Sequence, residues 1–590
     1  MKRQLLALAL LAAGSISALA QYQLPNSDFN EDFVNVYTKR TGTKYTGYKY
    51  THWTEPLHWH GYASAEMGGL AVTMTSKIRT ENKLKSATND HNGSKCIYIE
   101  ADNPTSDIVA NGVMTTGRIY AGGTSAEDNN NYNYSRPNNT DTKNSSYQNG
   151  ENKNPDFYQT FTGKPDVMTV WVKFIAAQAT QTSKTPYATV NAVIHDATEY
   201  RDPEKTGTNY SDHKVAQAQN TTIANYGQWH QLSVPFDYDD TKYKSKNPQY
   251  ILVTFSTNAK AGGGTSGDQL YIDDIAMVYY NDLKTLTYGT GSDAQDLLAK
   301  AGKAENNVVS IDASDLFYEK SKVAIKKKGQ GANITEETYD PTTCILTIKV
   351  EANDISVNAQ NYTIYKVQFK KPITISDDQD VSTTEDANAK VIMTRTFKKG
   401  WNTICLPFST TAEALGAAKV QKLTYCTNDL INFTSVEGNN MEWNTPYLIY
   451  FNEEKAFTSE DPFIFAGQVV SSKQSTGVTF SPVTMRGNYK VNFSMKGYYG
   501  VVDQDGVQRI MSGGEGATLG PCRAYFIGNG KYFANGMLIS FDGQTTGITS
   551  AELNAEGAAE DAPIYNLQGV RVNHLTKGVY IKGGKKIIVK

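Results

Sequence analysis

Alternation of apolar and polar residues dominates the first half of the chain. In Met168-Thr169-Val170-Trp171-Val172-Lys173-Phe174, Val170, Val172 and Phe174 share one side, and Thr169, Trp171 and Lys173 the other. From Tyr187 to Ile194, Ala188, Val190, Ala192 and Ile194 form the apolar row. From Gln228 to Phe236, His230, Leu232, Val234 and Phe236 lie opposite Trp229, Gln231 and Ser233. Segments 250–256 and 269–279 continue the pattern. A period of two with one apolar face predicts half-buried antiparallel strands, and several in succession predict a sandwich.

The rest of the chain divides by composition. Residues 21–282 read as one large β unit, and residues 124–154, almost pure Asn, Asp, Ser, Tyr and Lys, read as a long surface loop within it. Residues 283–376 predict a smaller, immunoglobulin-like β domain with strands at Leu346–Val350 and Tyr362–Phe369. An acidic, Thr-rich linker is expected at 377–389 and a third β region at 390–547, with a single helical turn near Glu413–Ala418. Residues 548–562 read as a second linker before a tail of short strands at 563–590. The expected fold class is all-β throughout.

Composition narrows the function classes. Over 590 residues the net charge is -3, which gives no basic field for nucleic acid. Tyr is abundant at 37, and strands with polar turns are favoured over helices. The five Cys (Cys96, Cys344, Cys405, Cys426, Cys522) form no CxxC pair, so neither a zinc site nor a disulfide scaffold is indicated. The default is buried thiols, with one disulfide among Cys405, Cys426 and Cys522 left open.

Both ends bear on location. Lys2 and Arg3, the apolar run Leu5–Ala13 and Ala18-Leu19-Ala20 have the form of a secretory signal peptide over residues 1–20. No later run is long enough for a transmembrane anchor. At the other end, IYNLQGVRV, KGVYI and GGKKIIVK resemble the C-terminal end of type IX secretion sorting domains. That resemblance implies contact with outer-membrane secretion machinery and a secreted or cell-surface location. Val570, Val572, Val579 and Ile581 are expected to supply the tail's small apolar face.

Four stretches carry a second resemblance: Asn111–Gly122, Lys164–Phe174, Trp229–Phe236 and Gly267–Ile275. In this order they resemble the "putative carbohydrate metabolism domain" of secreted bacterial proteins, a jelly roll similar to carbohydrate-binding modules. The resemblance implies a jelly roll over 21–282 and an oligo- or polysaccharide ligand. Trp171, Tyr187 and Asn191 lie opposite their strands' apolar rows and would form a stacking platform if the strands are neighbours; scattered outer-face aromatics are the alternative. The segment Thr51–His60 holds Trp53 and Trp59 for stacking, Glu55, and His58 and His60, which would share a strand face; packing of the tryptophans on the core is the alternative. The resemblance also implies a structural calcium between Asp273 or Asp274 and the first-strand carboxylates Asp28, Glu31 and Asp32. A turn role for Asp274 is the alternative.

No G-x-S-x-G, HExxH or P-loop is present. The leading expectation is therefore a secreted multi-domain protein that binds glycan through its N-terminal jelly roll without catalysis. Two alternatives stand beside it: a glycoside hydrolase acting through paired carboxylates, and a structural or adhesive surface protein.

Overall fold

The structure is a computed structural model. It describes residues 21–39, 50–62, 64–67, 77–81, 94–105, 108–123, 130–137, 157–177, 187–427, 430–474, 477–504, 507–528 and 538–545, and in the tail 563–566, 571–572, 578–582 and 585–589. Segment 1–20 and linker 548–562 lie outside the described residues. The fold is all-β: among the described residues the only helical pieces are short 3₁₀ turns, one of them at Glu413–Leu415, closed by Gly416 in the left-handed region. No helix there is long and apolar enough to cross a membrane. The chain forms two compact units, residues 1–369 and 370–590.

The first unit is built on two five-stranded antiparallel sheets. One runs Gln159–Thr160, Tyr250–Ser256, Ala188–His195, Lys214–Ile223, with Val113–Thr115 also pairing Tyr250–Ser256. The other runs His230–Pro235, Val167–Ile175, Gln269–Val278, Cys96–Glu100, Lys77–Glu81. The apolar rows read from the alternation meet between them: Met168, Val170, Val172 and Phe174 pack in one cluster with Val190, Ala192, Ile194, Val253 and Phe255. A side chain of this size contributes about 1.5–3 kcal/mol on burial, and a one-residue slip would turn the whole row to water.

A small sheet of Tyr200–Asp202, Asn131–Ser135, Arg118–Ala121 and Glu66–Met67 lies on the outside of the first of these sheets. This corrects the reading of 124–154 as loop throughout. Asn131–Ser135 pairs on both sides, and Tyr134 and Ser135 are buried. Its tyrosines supply the apolar area that composition alone obscures; residues 124–129 and 138–154 lie outside the described residues.

Within the same unit, residues 283–369 form a further sandwich with its own core of Leu286, Ile311, Leu346, Ile348, Val350 and Val367. Its strands Val308–Ala313 and Tyr362–Phe369 run parallel. Asp166 ties it to the jelly roll by accepting the backbone N–H groups of Tyr280 at 2.7 Å and Gln330 at 2.8 Å.

In the second unit a six-stranded and a five-stranded sheet bury Leu423, Phe433, Met485 and Phe526 between them. Segment 377–389, expected as a linker, is instead built in. Val381 is buried with its N–H on the Tyr489 carbonyl at 2.8 Å, and residues from Asp386 enter a strand, Asp386–Met393. Buried Val381, Thr383 and Ala389 and the carboxylates of Asp377 and Asp380, paired with Arg523 and Lys490, anchor it, which a composition reading does not detect. All five Cys are free and buried, so no disulfide links Cys405, Cys426 and Cys522. The tail is a three-stranded sheet of Ile564–Asn566, Gly578–Lys582 and Lys585–Val589. Among its described side chains Tyr580 is buried, Val572 and Val579 are half-buried and Ile581 is 37% exposed, so Ile581 does not join the apolar face expected; Val570 lies outside the described residues.

Candidate functional site

Inward positions of Ala188–His195 are Val190, Ala192 and Ile194, so Asn191, Val193 and His195 face outward. Asn191 stands opposite Thr254 on one neighbour and Gln219 on the other. Val193, Leu252, Tyr200 and Tyr210 seal one end of this face beneath the small sheet. His195 is fully buried there, its ring 5.7 Å from that of Tyr200 and 5.8 Å from that of Tyr250. The Thr198 carbonyl, 3.1 Å from Nδ1, can only accept, so Nδ1 holds the proton and Nε2 accepts from Ser135 Oγ at 3.0 Å. Burial pushes the imidazole down to about 4.

The Tyr200–Asp202 strand delivers Asp202 beside this face, whose Asn191, Lys214 and Thr254 are buried. Burial raises its carboxyl above the usual range, against the lowering effect of hydrogen bonds from Asn191 and Thr254 and the charge of Lys214. Around it the polar groups interlock. Gln217 Nε2 donates to Asn191 Oδ1 at 2.8 Å, Lys214 Nζ donates to Gln217 Oε1 at 3.1 Å, and the Tyr243 hydroxyl donates to the same oxygen at 3.4 Å. Glu204 accepts from the Tyr200 hydroxyl at 2.8 Å and pairs with Lys214. Tyr187, 37% exposed, precedes the strand. By alternation it is on Asn191's side, four residues and about 13 Å away. The result is a strip of fixed donors and acceptors with an exposed ring at one end.

The structure therefore brings Tyr187 and Asn191 onto one face but not Trp171. Trp171 lies on the outer face of the other sheet, opposite Gln231 and Asp273, and is half-buried. The three-residue platform does not exist, because alternation assigns a side of a strand but not a sheet. Next to Trp171 the outer face holds Tyr98 stacked on Tyr271 at 4.9 Å, with Lys173 Nζ 4.1 Å from the Tyr271 ring centre. Tyr98, Tyr271 and Lys173 are all buried.

Within the Thr51–His60 segment, Glu55, Pro56, Trp59 and His60 are buried. Trp59 is fully buried against Phe29 and Phe255, with Nε1 donating to the Pro25 carbonyl at 3.3 Å, which removes it as a stacking residue. Trp53 pairs with Val36 in a two-stranded ribbon; its side chain lies outside what is described. His58 and His60 do not share a strand face: His58 sits in a turn at φ +68, and His60 is buried beside Glu55 at 3.4 Å. Residue counting alone does not reveal that turn.

The first segment does reach Asp273 and Asp274: the Ile275 N–H donates to the Ser27 carbonyl at 2.9 Å. Asp273 is buried and pushed up to about 8, by desolvation first and then by the charges of Asp274 and Asp28. Ser94 Oγ donates to it at 3.3 Å. Asp274 has φ +45 within the strand Gln269–Val278, at a bulge opposite Thr169–Trp171, and its N–H donates to Asp273 Oδ1 at 2.9 Å, so it does not make the turn that was the alternative reading. Glu31 is exposed, and Asp32 pairs with Lys95 at 3.1 Å. Among the described residues no three His, Cys, Asp or Glu side chains converge as a metal group. A cation at Asp273 would thus need backbone or water oxygens besides Asp28 and Asp274.

Sequence reading missed Asp202, Glu204, Lys214, Gln217 and Thr254. Lys214–Ile223 reads KVAQAQNTTI, whose small, mixed residues give only a faint period of two.

No family model matches the chain, and no curated protein matches it. Among solved structures, one from Bacteroides thetaiotaomicron described as a "putative glycoside hydrolase" is 13% identical, covering 42% of this chain and 72% of its own, with a TM-score of 0.26. One from Bacteroides vulgatus with the same description is 14% identical, covers 42% and 96%, and has a TM-score of 0.25. A family 11 carbohydrate-binding module from Clostridium thermocellum, in complex with a β-1,3-1,4-mixed-linked tetrasaccharide, is 10% identical, covers 42% and 96%, and has a TM-score of 0.16. With TM-scores this low the likenesses carry no argument for function.

Proposed function

We propose that the protein binds a neutral oligo- or polysaccharide, without catalysis, on the outer face formed by Tyr187, Asn191, Asp202, Gln217 and Lys214. The observation that carries this reading is the interlocked set of donors and acceptors beside Asp202, in which Gln217 donates to Asn191, Lys214 and Tyr243 donate to Gln217, and Tyr200 donates to Glu204. Sugar hydroxyls need paired donors and acceptors in fixed positions, and a sugar's C–H face needs a ring such as Tyr187. The length from Tyr187 to Asn191 suits a short oligosaccharide rather than a monosaccharide. Screening the full chain on a glycan microarray tests this; no bound glycan would end it.

A glycoside hydrolase is the second reading, favoured by one feature. Asp202, with its raised pKa, and the exposed Glu204 are carboxylates in unlike environments, as an acid and its partner require. Reducing sugar released by the chain and abolished in Asp202→Asn would replace the first reading with this one.

Two further parts of the proposal concern the frame. Asp273, with Asp28 and Asp274, would hold a calcium whose charge offsets the buried carboxylate, joining the first segment to the sheet. Residues 1–20 would direct export, and the tail would act at the outer membrane.

A further inference from the structure

Within the second unit, Ser376, Asp377, Asp378, Thr394, Arg395, Thr396 and Phe457 line a shallow cleft of about 260 Å³. Arg395 is among these residues and is 5% exposed. Its Nη1 donates to the Cys522 carbonyl at 2.8 Å and its Nη2 to the Thr403 carbonyl at 2.9 Å, while its buried Nε has no hydrogen-bond partner. Burial first, and then the charge of Arg523, draw this guanidinium down to about 9. Asp377 is held from outside by Arg523, at 2.5 and 2.8 Å through both oxygens, and Ser376 Oγ donates to Asp378.

Charge decides what such a cleft can take. Two guanidiniums, Arg395 and Arg523, stand against two carboxylates, Asp377 and Asp378. A cation would meet the guanidiniums and an anion the carboxylates. A neutral ligand carries neither penalty. The lining combines hydroxyls of Ser376, Thr394 and Thr396 with the two carboxylates and Phe457. The volume falls below the roughly 300 Å³ at which drug-sized pockets begin, so a single ring fits better than a chain.

We propose that this cleft is a second saccharide subsite, taking one neutral sugar ring in the second unit, separate from the jelly-roll face. The proposal extends the glycan-binding reading but rests on different residues, so the two fail separately. The experiment is titration of the full chain with neutral methyl glycosides (glucoside, galactoside, mannoside), followed by NMR, with glucuronate and calcium chloride as charged controls. Asp378 and Thr396 are exposed, so Asp378→Asn and Thr396→Ala should leave folding intact.

A neutral methyl glycoside should bind, and each cleft variant should weaken it at least about fivefold, as loss of one hydrogen bond implies. Asn191→Ala should leave that binding unchanged. Binding of glucuronate or calcium in place of neutral glycosides, binding indifferent to both cleft variants, or no binding at all would overturn the proposal. If Asn191→Ala alone abolishes glycoside binding, this subsite falls and the jelly-roll face stands. If only the cleft variants matter, this subsite stands, and the jelly-roll face is tested separately with its oligosaccharide ligand.

Discussion

His195 and Asp273 are buried titratable groups shifted in opposite directions, and each makes stability depend on pH. His195 is neutral in the fold down to about 4. An unfolded chain takes up the proton from about 6.5 downward, so stability should fall as pH drops through that window, by roughly 3 kcal/mol in total. Denaturant melts of the native chain and His195→Gln between these limits should show a steeper loss for the native chain; parallel slopes would refute the assignment. Asp273 runs the other way. It stays protonated in the fold up to about 8, whereas unfolded it ionises near 3.9, so without a cation stability should fall as pH rises between the two. Calcium would take the proton's place and bind only the folded form. Calcium should therefore raise Tm more at pH 8 than at pH 5.5, an effect removed by chelator and by Asp273→Asn. No shift at either pH would end the calcium proposal.

At the level of strands, legibility followed the strength of the period-two signal. Val167–Ile175, Ala188–His195, Tyr250–Ser256 and Gln269–Val278 have apolar rows that each include large aliphatic or aromatic residues, and their inward residues form the core as read. Lys214–Ile223 was invisible because Ala216 and Ala218 are barely more apolar than the Gln residues between them. Asn131–Ser135 was hidden by its Asn and Ser, though two tyrosines hold it. With both strands unread, the face carrying Asp202, Gln217 and Lys214 had no place in the sequence argument. Only Asn191 and Tyr187 of the candidate face were found. The tail was legible as strands, but Tyr580 rather than Ile581 is its buried member of Gly578–Lys582 among the described side chains. As a small sheet it should act as a separable module. Deleting 563–590 in the native host should abolish display at the cell surface while leaving glycan binding intact. Unchanged display on fractionation would show the tail to be a passive cap.

For the whole molecule, a net charge of -3 gives little long-range steering, and the balanced groups on the jelly-roll face suit a neutral ligand. Glycan affinity should then change little with ionic strength, unlike binding that depends on charge pairing. The central claim places the glycan along Tyr187, Asn191 and Asp202 on one sheet, not across Trp171 on the other. Calorimetric titration of the full chain and three folded variants with the best array ligand tests it most directly. Tyr187→Ala and Asn191→Ala should each lose about 1–3 kcal/mol of binding, by analogy with lost stacking and lost buried hydrogen bonds, while Trp171→Ala binds as the native chain does. Affinity lost in Trp171→Ala and kept in the other two would contradict the account.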